Sequence, residues 1–284
     1  GNNISIFTRN TSTGLLTGAT TISTGAGSNP SGVCISADGA SVYSANYSTN
    51  KVSIFTRNIS TGALSGTTTI STGLNPEAIC ISATGTSVYT ANSGIWNASI
   101  FTRNTTTGAL SGTTTISTGQ APRSICISAD GKNVYAANQG NACVSIFTRN
   151  ISTGALSGTT TIATGVSPFG ICISADDASV YTVNQSGNTS SIFTRNITTG
   201  ALSGTTTIAT GTGPKAICIS ADGKNVYAAN NTGNTISTFV RNTSTGALSG
   251  TTTIFTSTPA AICISADGKN VYAVNQLASG TVSI

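Results

Sequence analysis

The sequence has no histidine, no methionine and a single tryptophan, and only 7% of its 284 residues are charged. Without histidine it can form neither a Ser-His-Asp triad nor a histidine-ligated metal site. Its acids are Asp38, Glu77, Asp130, Asp176, Asp177, Asp222 and Asp267, too few and too scattered for paired-carboxylate hydrolysis or a calcium cage. No Cys-x-x-Cys pair is present, so the seven cysteines do not read as a metal site, and no metal or cofactor is expected. No apolar run is long enough to span a bilayer. The net charge of +5 does not come in a block, which argues against nucleic acid as a partner. The chain opens directly on a repeat at Gly1, so a mature or trimmed product is expected.

What the sequence does have is one motif said six times. The phenylalanine of IFTRN (or TFVRN) stands at Phe7, Phe55, Phe101, Phe147, Phe193 and Phe239, at intervals of 48, 46, 46, 46 and 46 residues. A fixed period in this range marks a repeat architecture. In the clearest copy four short runs are separated by turn formers: ASIFTR (98–103), TTTIST (113–118), SICIS (124–128) and NVYAAN (133–138). They are rich in β-branched and aromatic residues, with Gly, Asn and Asp between them, which is the pattern of strands and hairpins. Helical periodicity is absent.

Four strands per repeat, six times over, predict an all-β fold: a single six-bladed β-propeller, residues 1–284, with four-stranded blades. ICIS is expected innermost, VYAAN second, SIFTRN third and the Thr-rich run outermost, where a polar edge discourages strand addition. The chain starts on a third strand and ends after a second, so the ring is expected to close by pairing the N- and C-terminal half-blades. The tail Thr281 to Ile284 begins a surplus copy of the third strand. It cannot share that slot with Ile4 to Arg9, so the tail is expected to lie loose, to mark a slice of something longer, or to enter another chain, which would give self-assembly through the terminal strand.

The motifs SADGKNVYAAN (128–138 and 220–230), TGxxP and NxSTGAL are similar to YVTN-type β-propeller repeats and their lactonase-like relatives. The resemblance covers essentially the whole chain. It implies a propeller, usually of seven blades in the lactonase members. In those members it also implies polar groups including His, Glu and Arg in a central cleft, and this chain has no His.

Six of the cysteines (Cys34, Cys80, Cys126, Cys172, Cys218 and Cys263) occupy one repeat position and read as small core residues. Cys143 is the exception, expected in a loop where a free thiol could couple to another chain. Five of the acids close the repeated ADG-type turn and are structural by default, leaving Glu77 and Asp177 outside the pattern. Two readings of the repeated arginine stand side by side: it meets a turn aspartate (Arg57 with Asp38, Arg149 with Asp130, Arg9 with Asp267 across the closure), or it is simply solvated. Thr84 stands where the second repeat's aspartate would be, which leaves Arg103 without a partner on the first reading.

The informative positions are those at which the repeats differ. The residue after the link proline is Ser31, Glu77, Arg123, Phe169, Lys215 or Ala260, and the loop after VYAAN changes in every copy. Alternating strand direction places both at one end of each blade and the constant turns at the other. Loops on a rigid scaffold are where binding functions concentrate. Tyr47, Glu77, Trp96, Arg123, Phe169 and Lys215 are therefore the ligand-binding candidates, with protein or carbohydrate as the expected partner. Each repeated Asn of RN (Asn10, Asn58, Asn104, Asn150, Asn196 and Asn242) opens an N-x-Ser/Thr sequon and is a glycosylation candidate. Together with the hydroxyl-rich, weakly charged surface this predicts an extracellular or cell-surface setting. The composition on its own points to a non-catalytic interaction module, not an enzyme. The alternatives are a lectin-like binder, a filament or surface-layer subunit, and a lactonase-like hydrolase.

Overall fold

The computed structural model describes residues 1–276 and 280–284. The loop tip at 277–279, part of the sixth variable loop, lies outside the described residues. The fold is an all-β, six-bladed propeller of four-stranded blades, with no helix among the described residues and hence none long and apolar enough to cross a membrane.

Twenty-five strands follow one another among the described residues. The first complete blade is β3 (Pro30–Ile35), β4 (Ser41–Asn46), β5 (Lys51–Arg57) and β6 (Leu64–Ser71), hydrogen-bonded in that order. Blade two repeats it with β7 (Pro76–Ile81), β8 (Ser87–Asn92), β9 (Asn97–Arg103) and β10 (Leu110–Ser117). Blade three comprises β11 (Pro122–Ile127), β12 (Asn133–Asn138), β13 (Cys143–Arg149) and β14 (Leu156–Ala163). Blade four comprises β15 (Pro168–Ile173), β16 (Ser179–Asn184), β17 (Thr189–Arg195) and β18 (Leu202–Ala209). Blade five comprises β19 (Pro214–Ile219), β20 (Asn225–Asn230), β21 (Thr235–Arg241) and β22 (Leu248–Phe255). The predicted order from ICIS inward to the Thr-rich strand outward is the one observed.

The ends of the chain differ from the expected closure. The sixth blade has three strands, β23 (Pro259–Ile264), β24 (Val271–Asn275) and β25 (Thr281–Ser283), and β1 (Asn3–Arg9) pairs with β2 (Leu16–Ser23) in a separate two-stranded sheet. The surplus tail has taken the third-strand slot. Chemistry favours it there: Asn275 Nδ2 donates to Ser283 Oγ at 2.9 Å, reproducing the bridges of Asn92 to Ser99, Asn184 to Ser191 and Asn230 to Ser237, each also 2.9 Å. Phe7, with no second strand beside it, stays 40% exposed, whereas Phe55, Phe101, Phe147, Phe193 and Phe239 are buried.

The chain divides into two compact units, Gly1–Ile127 with Gly131–Val134 and Phe147–Thr159, and Ser128–Asp130 with Tyr135–Ile146 and Thr160–Ile284. In the first, Tyr43, Ala45, Val52, Ile79, Val88, Phe101 and Leu110 pack into one apolar cluster. In the second, Tyr181, Val183, Ile217, Val226, Ala228, Phe239 and Leu248 do the same. Each cluster joins the second strand of one blade to all four strands of the next. The second strands β4, β8, β12 and β16 are buried at every residue, because neighbouring strands flank both edges and neighbouring blades cover both faces. The outermost strands are exposed along their Thr runs, as a solvated edge should be.

Candidate active site

At the constant-turn end, the repeated arginine is a buried bracket between blades. In the second blade Arg103 Nε donates to Tyr43 Oη, Nη1 to the Gly85 carbonyl, and Nη2 to Ser41 Oγ and Asp38 Oδ2 at 3.0 and 3.1 Å. Tyr43 Oη in turn donates to the Gly108 carbonyl at 2.7 Å. A Cβ at Gly108 would come within 2.3 Å of Ser41 Oγ, and its φ is +74°, which is why this turn holds glycine in every copy. In the second unit, Arg195 meets Asp130 at 3.2 Å and Arg241 meets Asp176 at 2.9 Å. Arg103, Arg195 and Arg241 thus reach the aspartate of the preceding blade, and the expected pairings of Arg57 with Asp38 and Arg149 with Asp130 give way to Arg103 with Asp38 and Arg195 with Asp130. The third strand leans across to the neighbouring second strand, whose tyrosine hydroxyl draws the guanidinium over. Arg103 is accordingly paired, whereas Arg149 and Arg57 meet only neutral acceptors among the described residues.

The lone-looking Asp177 belongs to this bracket. It fills the glycine position of the fourth turn with φ +57°, and its carboxylate accepts from the Ala129 and Asp130 amides at 2.8 Å each. Of the two acids outside the repeat pattern, only Glu77 is left for chemistry.

Glu77 follows the link proline on β7 at the variable-loop end, half-buried. Arg123 holds the same place on β11, the adjacent inner strand of the same unit, and its Nη1 donates to Glu77 Oε1 in an ion pair. The Ser93 hydroxyl, at the start of the loop after β8, lies 3.3 Å from the same carboxylate oxygen and 3.1 Å from the Asn75 carbonyl. Ser31, the equivalent residue on β3, donates to the Pro76 carbonyl at 2.6 Å. Side chains from three blades therefore gather at the variable-loop end: a carboxylate, a guanidinium and hydroxyls. Spacing of 46 residues brought them together. The sequence reading named Glu77 and Arg123 but missed Ser93, which the same rule of asking where repeats differ would have found.

The Tyr47 carbonyl accepts from Asn75 Nδ2 at 3.3 Å, which ties its loop to the next link. Lys215, in the second unit, donates from Nζ to Gln276 Oε1 at 3.3 Å, and Phe169 on β15 is half-buried. Trp96 is 48% exposed at φ +55°, a costly backbone for a bulky residue. In the equivalent place Asn50, Asn188 and Asn234 each accept a link amide at 2.8 Å, a tie that Trp96 gives up. The six sequon asparagines are exposed, and each is committed to its own turn: Asn58 Oδ1 accepts from the Ser60 and Thr61 amides at 3.0 Å, and the others do likewise. The turn by itself accounts for Asn there.

The cysteines are free. Burial pushes the Cys34 thiol up, with the neighbouring Cys80 adding to it, and pushes Cys80 and Cys218 up to about 12. These groups are neutral and unreactive at ordinary pH. Cys143 is not in an open loop: it begins β13, buried, beside Asn138 and Asn141. Burial raises its thiol too. Among the described residues no three His, Cys, Asp or Glu side chains gather where they could hold a metal ion.

The sequence model of the seven-bladed β-propeller lactonases matches residues 1–122, 75–169, 115–214 and 163–257, overlapping as repeats do. The chain belongs to this lactonase family. That membership overturns the expectation of a non-catalytic module and of a protein that is not an enzyme. The inference from missing histidine weighed residue types one by one, without the contacts that neighbouring inner strands create, such as that of Glu77 with Arg123. No curated protein matches the sequence. Among solved structures, a Bacteroides fragilis protein assigned as a 6-phosphogluconolactonase superposes with a TM-score of 0.83 at 24% identity, over 97% of this chain and 85% of that one. A periplasmic gluconolactonase of Pseudomonas aeruginosa gives 0.78 at 19% identity, over 89% and 77%. Hydrazine synthase of Kuenenia stuttgartiensis gives 0.74 at 20%, over 98% and 89%. At such identities these likenesses concern the fold. This lactonase-family chain builds it with six repeats where the family is described with seven blades.

Proposed function

We propose that the protein hydrolyses the ring ester of a sugar lactone, at the site formed by Glu77, Arg123 and Ser93. The observation that carries this is an ion pair outside the repeat pattern, Glu77 with Arg123, at the variable-loop end of a lactonase-family chain. Two of the structurally similar proteins are described as acting on gluconolactones, which supports a polyhydroxylated lactone as the substrate class.

The chemistry follows from the groups present. Glu77, the general base, takes a proton from a water that attacks the lactone carbonyl carbon. The Arg123 guanidinium donates to the carbonyl oxygen as it becomes an oxyanion, stabilising charge that the ground state lacks. When the ring C–O bond breaks, the protonated Glu77 returns its proton to the departing alkoxide, and the product is an open-chain hydroxy acid. The Ser93 hydroxyl orients the carboxylate. Before substrate arrives, the ion pair holds both side chains in place, so little reorganisation remains for the reaction.

The test is ring opening of δ-gluconolactone and of its 6-phosphate, followed by acid release. Glu77→Gln is expected to lower kcat by about 10²-fold or more, the range typical of general-base loss, with an unchanged melting temperature. Wild-type turnover no faster than the uncatalysed reaction, or a Glu77→Gln variant as fast as wild type, would sink this reading.

A further inference from the structure

The bracket at the constant-turn end is complete in three places and lacks its acid at the buried Arg149. Arg103, Arg195 and Arg241 each direct Nη2 at a carboxylate 65 residues earlier, on Asp38, Asp130 and Asp176. Sixty-five residues before Arg149 stands Thr84. Arg149 is otherwise held like the rest: Nε donates to Tyr89 Oη at 2.5 Å, Nη1 to the Gly131 carbonyl at 3.0 Å, and Nη2 to Ser87 Oγ at 3.0 Å. All three acceptors are neutral. Thr84 Oγ1 is occupied with Ser82 and Thr86, at 3.2 and 3.0 Å, and supplies no charge. The arginine is 4% exposed, and no ion pair to it is found among the described residues. A guanidinium does not lose its proton, and a buried charge without a counter-charge is costly.

We propose that this turn is a small-oxyanion site: a free phosphate or carboxylate binds at the surface beside Thr84, against Arg149, where the other blades place an aspartate. The neighbouring blades supply the template. In the first blade the turn carboxylate accepts from the Ser36 hydroxyl and the Ala40 amide, as well as from Arg103. Blade two keeps the serine at Ser82 and the same turn, with Gly85 donating to the Ser82 carbonyl at 2.8 Å as Gly39 does to Ser36. Thr84 is exposed, so an anion can reach the place from solvent. The site needs nothing from Glu77 or Arg123 and stands whether or not the chain opens lactones.

Thermal melts and calorimetric titration with inorganic phosphate, and separately acetate, at constant ionic strength in HEPES test this. The wild-type protein is expected to gain several degrees, saturably, with at least one of the two anions. Thr84→Asp, which supplies the carboxylate in place, is expected to melt higher without added anion and to bind it at least about tenfold more weakly. Arg123→Gln is expected to keep the full anion response, which separates this site from the lactone site. Equal stabilisation of wild type and Thr84→Asp, or no response of the wild type to either anion, would overturn the proposal.

Discussion

The two ends of each blade use the same chemistry for opposite purposes. At the constant-turn end, Arg195 and Arg241 are buried, and each is fixed by a tyrosine hydroxyl, a backbone carbonyl and a carboxylate of the preceding blade. At the variable-loop end, Arg123 is a quarter exposed and Glu77 somewhat less, and the pair occurs at one inter-blade step. An ion pair repeated at successive blades is a fastening. An ion pair written once, on a surface that otherwise changes from copy to copy, is available for a reaction.

That contrast can be broken by exchange of effects. The largest effect is expected at the variable end, where Glu77→Gln should abolish most turnover and leave stability alone. At the constant end, Tyr89→Phe should do the reverse. It strips the hydroxyl that accepts from Arg149 and donates to the Gly154 carbonyl at 2.8 Å, which costs about 1–3 kcal/mol for buried groups left unmet. The melting temperature should fall by several degrees while KM for the lactone stays put; a changed KM with an unchanged melt would contradict the division.

Acid should also act on the constant end. The Ser36 hydroxyl and Ala40 amide hold Asp38 down at about 2, with Arg103 contributing less. At Asp176 burial pushes upward but is outweighed by Ser174, Ala178 and Arg241, so its pKa too is lowered. Groups with lowered folded-state pKa values contribute stability that is complete above the ordinary carboxylate range and lost as pH falls through the folded value. A melting-temperature profile should therefore be flat above about pH 4 on their account and drop toward pH 2, and Asp38→Asn should blunt the drop. The smallest effect is expected at Trp96. Trp96→Asn restores the residue found at the equivalent turns and its tie to the Ala121 amide, and should raise the melting temperature by a degree or two.

Much of the fold was legible because each strand is spelled out six times: the strand boundaries, their order from centre to rim and the Thr-rich edge all followed from the period. What was not legible depends on tilt between blades. Nothing in a 46-residue repeat says that Arg103 passes over its own turn to Asp38, because that choice is made by the lean of β9 toward Tyr43. The slot beside β24 was likewise ambiguous, since Asn3–Arg9 and Thr281–Ser283 carry the same pattern. The site was half legible. Glu77 and Arg123 stood out as exceptions, yet their meeting was visible only once adjacent inner strands were side by side.

The 65-residue reach of the arginines carries a consequence for how the chain can be divided. The stretch that is spelled out repeatedly is about 46 residues, but the stretch that is fastened together is longer by nearly half. A cut at the boundary of one spelled copy separates an arginine from the tyrosine and serine that hold it, leaving a charged group on one fragment and an empty cradle on the other. A circularly permuted or shortened version of the chain would keep its fastenings only if the boundaries were drawn around the clasp, from a turn such as Ser36–Gly39 or Ser174–Asp177 to the arginine that returns to it one blade later.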